Sequence, residues 1–159
     1  LALCDPKRHK TVLPEECCLE LTSSELALLT PGLGNIYETA RYANQVIWLP
    51  PMNNSQGQQL RLLENAYPKV LHLDWHTFSG GKPLDYFRPQ PYVMHQIATF
   101  LGNFIAEARL QKSFSTRLSE LISKARSTNL LAHTAILNDF GSSGANQFAN
   151  LIKERKELK

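Results

Sequence analysis

Two histidines and an aspartate alternate in Lys69-Val70-Leu71-His72-Leu73-Asp74-Trp75-His76. Alternate side chains of a β-strand share a face, roughly 7 Å apart. The pattern therefore puts Val70, His72, Asp74 and His76 on one face and Leu71, Leu73 and Trp75 on the other. Two imidazoles and a carboxylate suit a divalent metal, but only on a face that opens to a cleft. A strand inside an α/β sheet is covered by helices on both sides. The expectation is that Asp74 or His76 hydrogen-bonds a neighbouring loop, and that no metal or other cofactor is held. Cys4, His9, Cys17 and Cys18 match no standard zinc spacing.

Asn53-Asn54-Ser55 offers amide donors suited to an oxyanion or a sugar, and it is equally the composition of a polar turn. Ser79-Gly80-Gly81-Lys82 is a turn with one basic neighbour; it lacks the longer glycine spacing of a phosphate-binding loop. Asn53, Asn54, Ser79 and Arg88 are the candidate ligand contacts.

The elements that must position these residues alternate along the chain. Thr22, Ser23 or Ser24 could cap a short stretch, Glu25 to Leu29, that reads as a helix stopped by Pro31, Gly32 and Gly34. Asn35 to Asn44 is helix-compatible. Val46-Ile47-Trp48-Leu49, bounded by Pro50-Pro51, reads as a buried strand. A helix follows over Gln58 to Ala66, then the strand ending near His76, then a proline-rich loop over Lys82 to Pro91. Val93, Ile97, Phe100, Leu101, Phe104, Ile105 and Ala108 form the stripe of a helix over Tyr92 to Leu110. This order predicts an α/β fold, a small parallel-sheet core with crossover helices. Ligands of such sheets sit at the carboxyl ends of the strands, which selects the loops after Leu49 and after His76.

Residues 1–20 read as an irregular lead-in, 20–110 as the α/β core and 111–159 as an all-helical C-terminal region. Helices are expected over Ser113 to Ala125, Asn129 to Phe140 and Ala145 to Leu158. Their apolar stripes need cover, which makes a protein partner or a homo-oligomer the expected association.

The chain has 159 residues, a net charge of +3 and a mean hydropathy of -0.27. Residues 1–109 carry 9 basic and 10 acidic side chains, and residues 110–159 carry 8 and 4. The basic excess lies in the C-terminal third, where Arg117, Lys124, Arg126, Lys153, Arg155 and Lys156 are the candidate contacts to nucleic acid. No run of apolar residues is long enough to span a membrane, and Leu1 to Lys10 does not read as a secretory signal. Leu1 in place of Met suggests a trimmed or processed chain or an excised domain. Three cysteines cannot all pair, and adjacent ones rarely bridge, so a reducing, cytoplasmic compartment is expected.

The block from Val46 to Leu110 resembles the C-terminal portion of SGNH/GDSL-type hydrolases. Leu73-Asp74-Trp75-His76-Thr77-Phe78 is similar to that family's last strand, apolar-Asp-x-x-x-Phe. Val46 to Pro51 is similar to its penultimate, proline-terminated strand. The family's closing Asp-x-x-His falls on Asp85-Tyr86-Phe87-Arg88, with arginine in the place of the base, and neither the Gly-Asp-Ser nor the Gly-x-Asn-Asp motif is present. Two readings follow. In the first, the chain is a non-catalytic binding or assembly module, with Arg88 paired to Asp85 or Asp74. In the second it is an ester or glycan-ester hydrolase, with His76 or His95 as base, Asp74 or Asp85 orienting it, and Asn53 as oxyanion donor.

Overall fold

The computed structural model describes residues 13–43 and 45–127. The expected helices over 129–140 and 145–158, with Lys153, Arg155 and Lys156, lie outside the described residues, as do Cys4 and His9. Three strands, β1 (Ala27–Leu29), β2 (Val46–Trp48) and β3 (Leu71–His72), form one parallel sheet in the order β1-β2-β3. Helix α1 (Pro14–Ser23) precedes β1. The crossovers are α2 (Leu33–Tyr42) and α3 (Asn54–Ala66), and α4 (Trp75–Ser79), α5 (Gln90–Ala106) and α6 (Ala108–Ser127) follow β3. The α/β fold read from the element order is therefore the one observed.

The sheet is covered on both faces. Val46 and Trp48 face a core with Leu21, Ile36, Ala40, Leu60 and Leu63 from α1, α2 and α3. Ile47 and Leu71, one residue out of phase, pack on Ala125 of α6, with Leu118, Leu121 and Ile122 around them. A third cluster joins Trp75 and Phe78 of α4 to Tyr86 and to Val93 and Ile97 of α5, with Phe104 and Phe114 at its margin.

Several expectations are corrected. The lead-in is helical from Pro14, because proline suits the first turn of a helix and the Glu16 carboxylate accepts from the Leu13 N–H at 3.1 Å. Residues 25–29 hold no helix. A segment that short does not offset the cost of nucleation, and Ala27–Leu29 pairs with β2 instead. The strand through His76 ends at His72, because Asp74 caps α4: its Oδ1 accepts from the Trp75 N–H, and its own N–H donates to the Thr77 hydroxyl. Gly80, at φ 75°, closes α4 in the left-handed conformation. The long helix expected over 92–110 is two helices, broken where Glu107 is extended. Helix α6 crosses residue 111 and lies on the sheet.

Candidate functional site

The loops leaving β2 and β3 lie side by side at the carboxyl edge of the sheet and are tied together. The Trp75 indole N–H donates to the Pro51 carbonyl at 2.7 Å, in the interior. Asn53 caps α3, its Oδ1 accepting from the Gln56 N–H at 2.9 Å. One turn into α3, Gly57 leaves room for the Tyr86 ring; a Cβ there would sit 2.0 Å from Tyr86 Cδ1. Gln58 donates to the Tyr86 carbonyl at 3.0 Å. Tyr86 thereby pins the proline-rich loop to α3.

Asp74 is the centre of this arrangement and is 0% exposed. Its Oδ1 accepts from the Trp75 N–H at 2.6 Å and the Tyr86 hydroxyl at 2.5 Å. Its Oδ2 accepts from Arg61 Nη2 at 2.6 Å. The other arm of Arg61 meets Glu64 at 2.6 Å, and Glu64 Oε1 lies 2.6 Å from His72 Nε2. A continuous polar chain thus runs Tyr86–Asp74–Arg61–Glu64–His72 beneath the carboxyl edge. Burial opposes the charge on Arg61, but the hydrogen bond to Glu64 and the Asp74 carboxylate outweigh it and hold the guanidinium more firmly protonated. Burial, then the adjacent Asp74 carboxylate, push the Tyr86 phenol far above its ordinary range.

His76 Nδ1 lies 3.4 Å from Asp74 Oδ2. The contact is not a hydrogen bond, and that buried nitrogen has no hydrogen-bond partner among the described residues. Of the proposed base–carboxylate pairs, the fold brings Asp74 and His76 together. It does not bring His95 to either carboxylate: His95 is exposed on α5. Asp85 is exposed too, and its side chain accepts from the Phe87 N–H at 3.0 Å. No hydroxyl or thiol hydrogen-bonds His76 among the described residues.

The metal-type trio is dispersed. His72 turns to Glu64, while His76 stands on α4 rather than on the strand, and among the described residues no group of three or more His, Cys, Asp or Glu could hold a metal. Arg88 pairs with neither Asp85 nor Asp74; its guanidinium lies over the Tyr92 ring, 5.4 Å from the centroid. Asn54 is the first residue of α3, and Ser79 Oγ accepts from the Gly81 N–H at 3.4 Å. On α6, Arg117 meets Glu120 at 3.0 Å and Arg126 approaches Glu25 at 3.9 Å; Lys124 is exposed in the last turn.

Sequence reasoning passed over Arg61, Glu64 and Tyr86. The Arg-x-x-Glu spacing on α3 was a visible sign of an ion pair, whereas nothing local joins Arg61 to Asp74, 13 residues away. No protein-family model, curated protein or solved structure matches this chain. No helix among the described residues is long and apolar enough to cross a membrane.

Proposed function

We propose that the chain is a non-catalytic binding or assembly module, on an α/β core that resembles SGNH-type hydrolases without their chemistry. The saturation of Asp74 carries this reading. A carboxylate that orients a catalytic imidazole gives that imidazole a well-directed hydrogen bond, and here Arg61, Tyr86 and the Trp75 N–H hold both oxygens while His76 stands off. Arg88, in the slot where the resemblance expects the base, stacks on Tyr92, and a guanidinium cannot accept a proton. Binding falls to the carboxyl edge, where Asn53, Asn54, Ser79 and Arg88 are joined by exposed apolar side chains: Leu33 and Met52 just beyond strand ends, and Phe87, which is 67% exposed beside the anchored Tyr86. Free thiols at Cys17 and Cys18 support a reducing, cytoplasmic setting.

One observation favours a second reading, an ester or glycan-ester hydrolase with His76 as base: its Nδ1 is buried 3.4 Å from Asp74. Turnover of p-nitrophenyl acetate and butyrate by the purified chain separates the two, with His76→Ala and His95→Ala as controls. The binding-module reading expects hydrolysis no faster than buffer. Enzyme-dependent turnover abolished by His76→Ala replaces it with the hydrolase.

A further inference from the structure

Residues 81–88 run from α4 towards α5 without regular structure. Of these residues only Tyr86 is buried; Leu84 is half-buried and the rest are exposed. Pro83 has no N–H to give, and among the described residues no backbone hydrogen bond joins the segment to another element. Its polar ties to the fold all run through Tyr86: the hydroxyl donates to Asp74, and the carbonyl accepts from Gln58. A segment held at one point opens locally far more readily than the sheet beneath it.

The socket that receives Tyr86 is built without it. Gly57 and Arg61 stand on α3, which is fixed by the buried Leu60 and Leu63. Arg61 is held by Glu64, and Asp74 by Arg61 and the Trp75 N–H. Gly57 keeps the slot open at a cost in helix propensity, since an added Cβ would collide with the ring. The Arg61 guanidinium lies 5.6 Å from the ring centroid. The result is a slot at the carboxyl edge with one bare backbone wall, one cationic wall and a carboxylate at its end.

We propose that this slot is the ligand site of the carboxyl edge, that Tyr86 fills it in cis as a displaceable plug, and that its ligand is a neutral phenolic ring. The inference rests on the reading of the chain as a binding module and names the ligand class. Each wall selects part of that class. An ionised carboxylate only accepts, so Asp74 takes a hydroxyl donor and repels an anion. The guanidinium favours an aromatic face. The Tyr86 phenol, held protonated by burial and by Asp74, shows the same preference for a neutral occupant. Ligands of parallel sheets bind where this slot lies, beyond the carboxyl ends of the strands. A tethered plug competes at an effective concentration of about a millimolar or more, so a free phenol binds the wild-type chain weakly.

Fluorine NMR of the full chain carrying fluorotyrosine tests it, with p-cresol as the probe and the Tyr86 resonance assigned by its loss in Tyr86→Phe. Millimolar p-cresol is expected to move that resonance towards its position in the unfolded chain while the other tyrosines keep theirs. Toluene, which lacks the hydroxyl, and p-toluate, an anion, are expected to leave it in place. Tyr86→Phe weakens the plug, so p-cresol is expected to bind that variant at least ~10-fold more tightly than the wild type, read by saturation transfer on the ligand. A peptide of residues 82–89 separates two sources of the same ring. Displacement at much lower concentration than p-cresol assigns a tyrosine on a partner segment, and otherwise a free phenol is assigned. A Tyr86 resonance unmoved by both probes overturns the proposal and makes Tyr86 a fixed core residue. Equal displacement by toluene overturns it too, because apolar area alone would then choose the occupant, and so does movement of all tyrosine resonances together, which is denaturation. Ester turnover is a separate assay, so an unmoved Tyr86 leaves the non-catalytic reading standing or falling on its own result.

Discussion

The Tyr86 hydroxyl donates to Asp74 Oδ1 at 2.5 Å, between two residues that are both shut off from solvent. The contact fastens a loop without regular structure to the carboxyl end of β3. Tyr86→Phe keeps the ring over Gly57 and removes the donor to a buried carboxylate. Hydrogen bonds to charged groups contribute about 1.5–3 kcal/mol. Urea denaturation of Tyr86→Phe is expected to show a loss in that range with an unchanged m-value.

Asp74 and Arg61 form the charged centre of the same network. Removing one member of a buried pair strands the other, and such changes cost about 3–5 kcal/mol. Arg61 keeps Glu64 and retains some solvent access, which places Asp74→Asn towards the lower end. Glu64→Gln, at a half-buried position, should cost well under half as much. Equal losses for the two variants in chemical denaturation would show that Asp74 does not hold the network together.

The sheet was legible because its residues are apolar in short, bounded runs. Val46 to Trp48 between polar residues and a proline pair has few alternatives, and its strand appears where expected. Ile47, Leu71 and Leu73 are buried, while Leu49, past the last ladder residue, is only half-buried. Alternation misled beyond Leu73. Trp75 is buried as a strand residue would be, but it is buried from a helix, because the Asp74 cap competes locally with the strand. The candidate site was legible only at Asp74 and His76. Tyr86 and Arg61 reach Asp74 across 12 and 13 residues, and no local spacing encodes that meeting.

Leu71 sits on the sheet face that α6 covers, packed with Ile47 and Ala125. Leu71→Ala opens a cavity between two rigid layers, and such truncations cost about 2–5 kcal/mol. Thermal unfolding unchanged in Leu71→Ala would contradict the packing of α6 on β2 and β3.

Gly57 and Gly34 both lie in helices, and their surroundings differ. An added Cβ at Gly34 meets nothing within 4 Å, whereas at Gly57 it collides with the Tyr86 ring. Gly34→Ala is expected to stabilise by about 0.4–1 kcal/mol through helix propensity and a less flexible unfolded chain. Gly57→Ala must move the Tyr86 ring, and such overpacking costs about 1–3 kcal/mol. If both substitutions shift the denaturation midpoint upwards, the Tyr86 loop does not dock on α3.

The Tyr86 phenol is held protonated by burial and by the carboxylate it donates to. Its pKa is raised on folding, so its contribution is fully present below the unfolded value, ~10, and is lost as pH rises above it. Above that point the unfolded chain releases the proton and the folded chain keeps it, so folding stability falls by up to ~1.4 kcal/mol per pH unit from this group alone. Other titrating side chains contribute to both the wild type and Tyr86→Phe, so the difference between the two isolates Tyr86. Urea denaturation at intervals from about pH 8 to pH 11 should show a constant gap up to the ordinary phenol range and a shrinking one above it. A gap that stays constant to the alkaline limit would mean that Tyr86 ionises as freely in the folded chain as in the unfolded one, and that its contact with Asp74 is not maintained in solution.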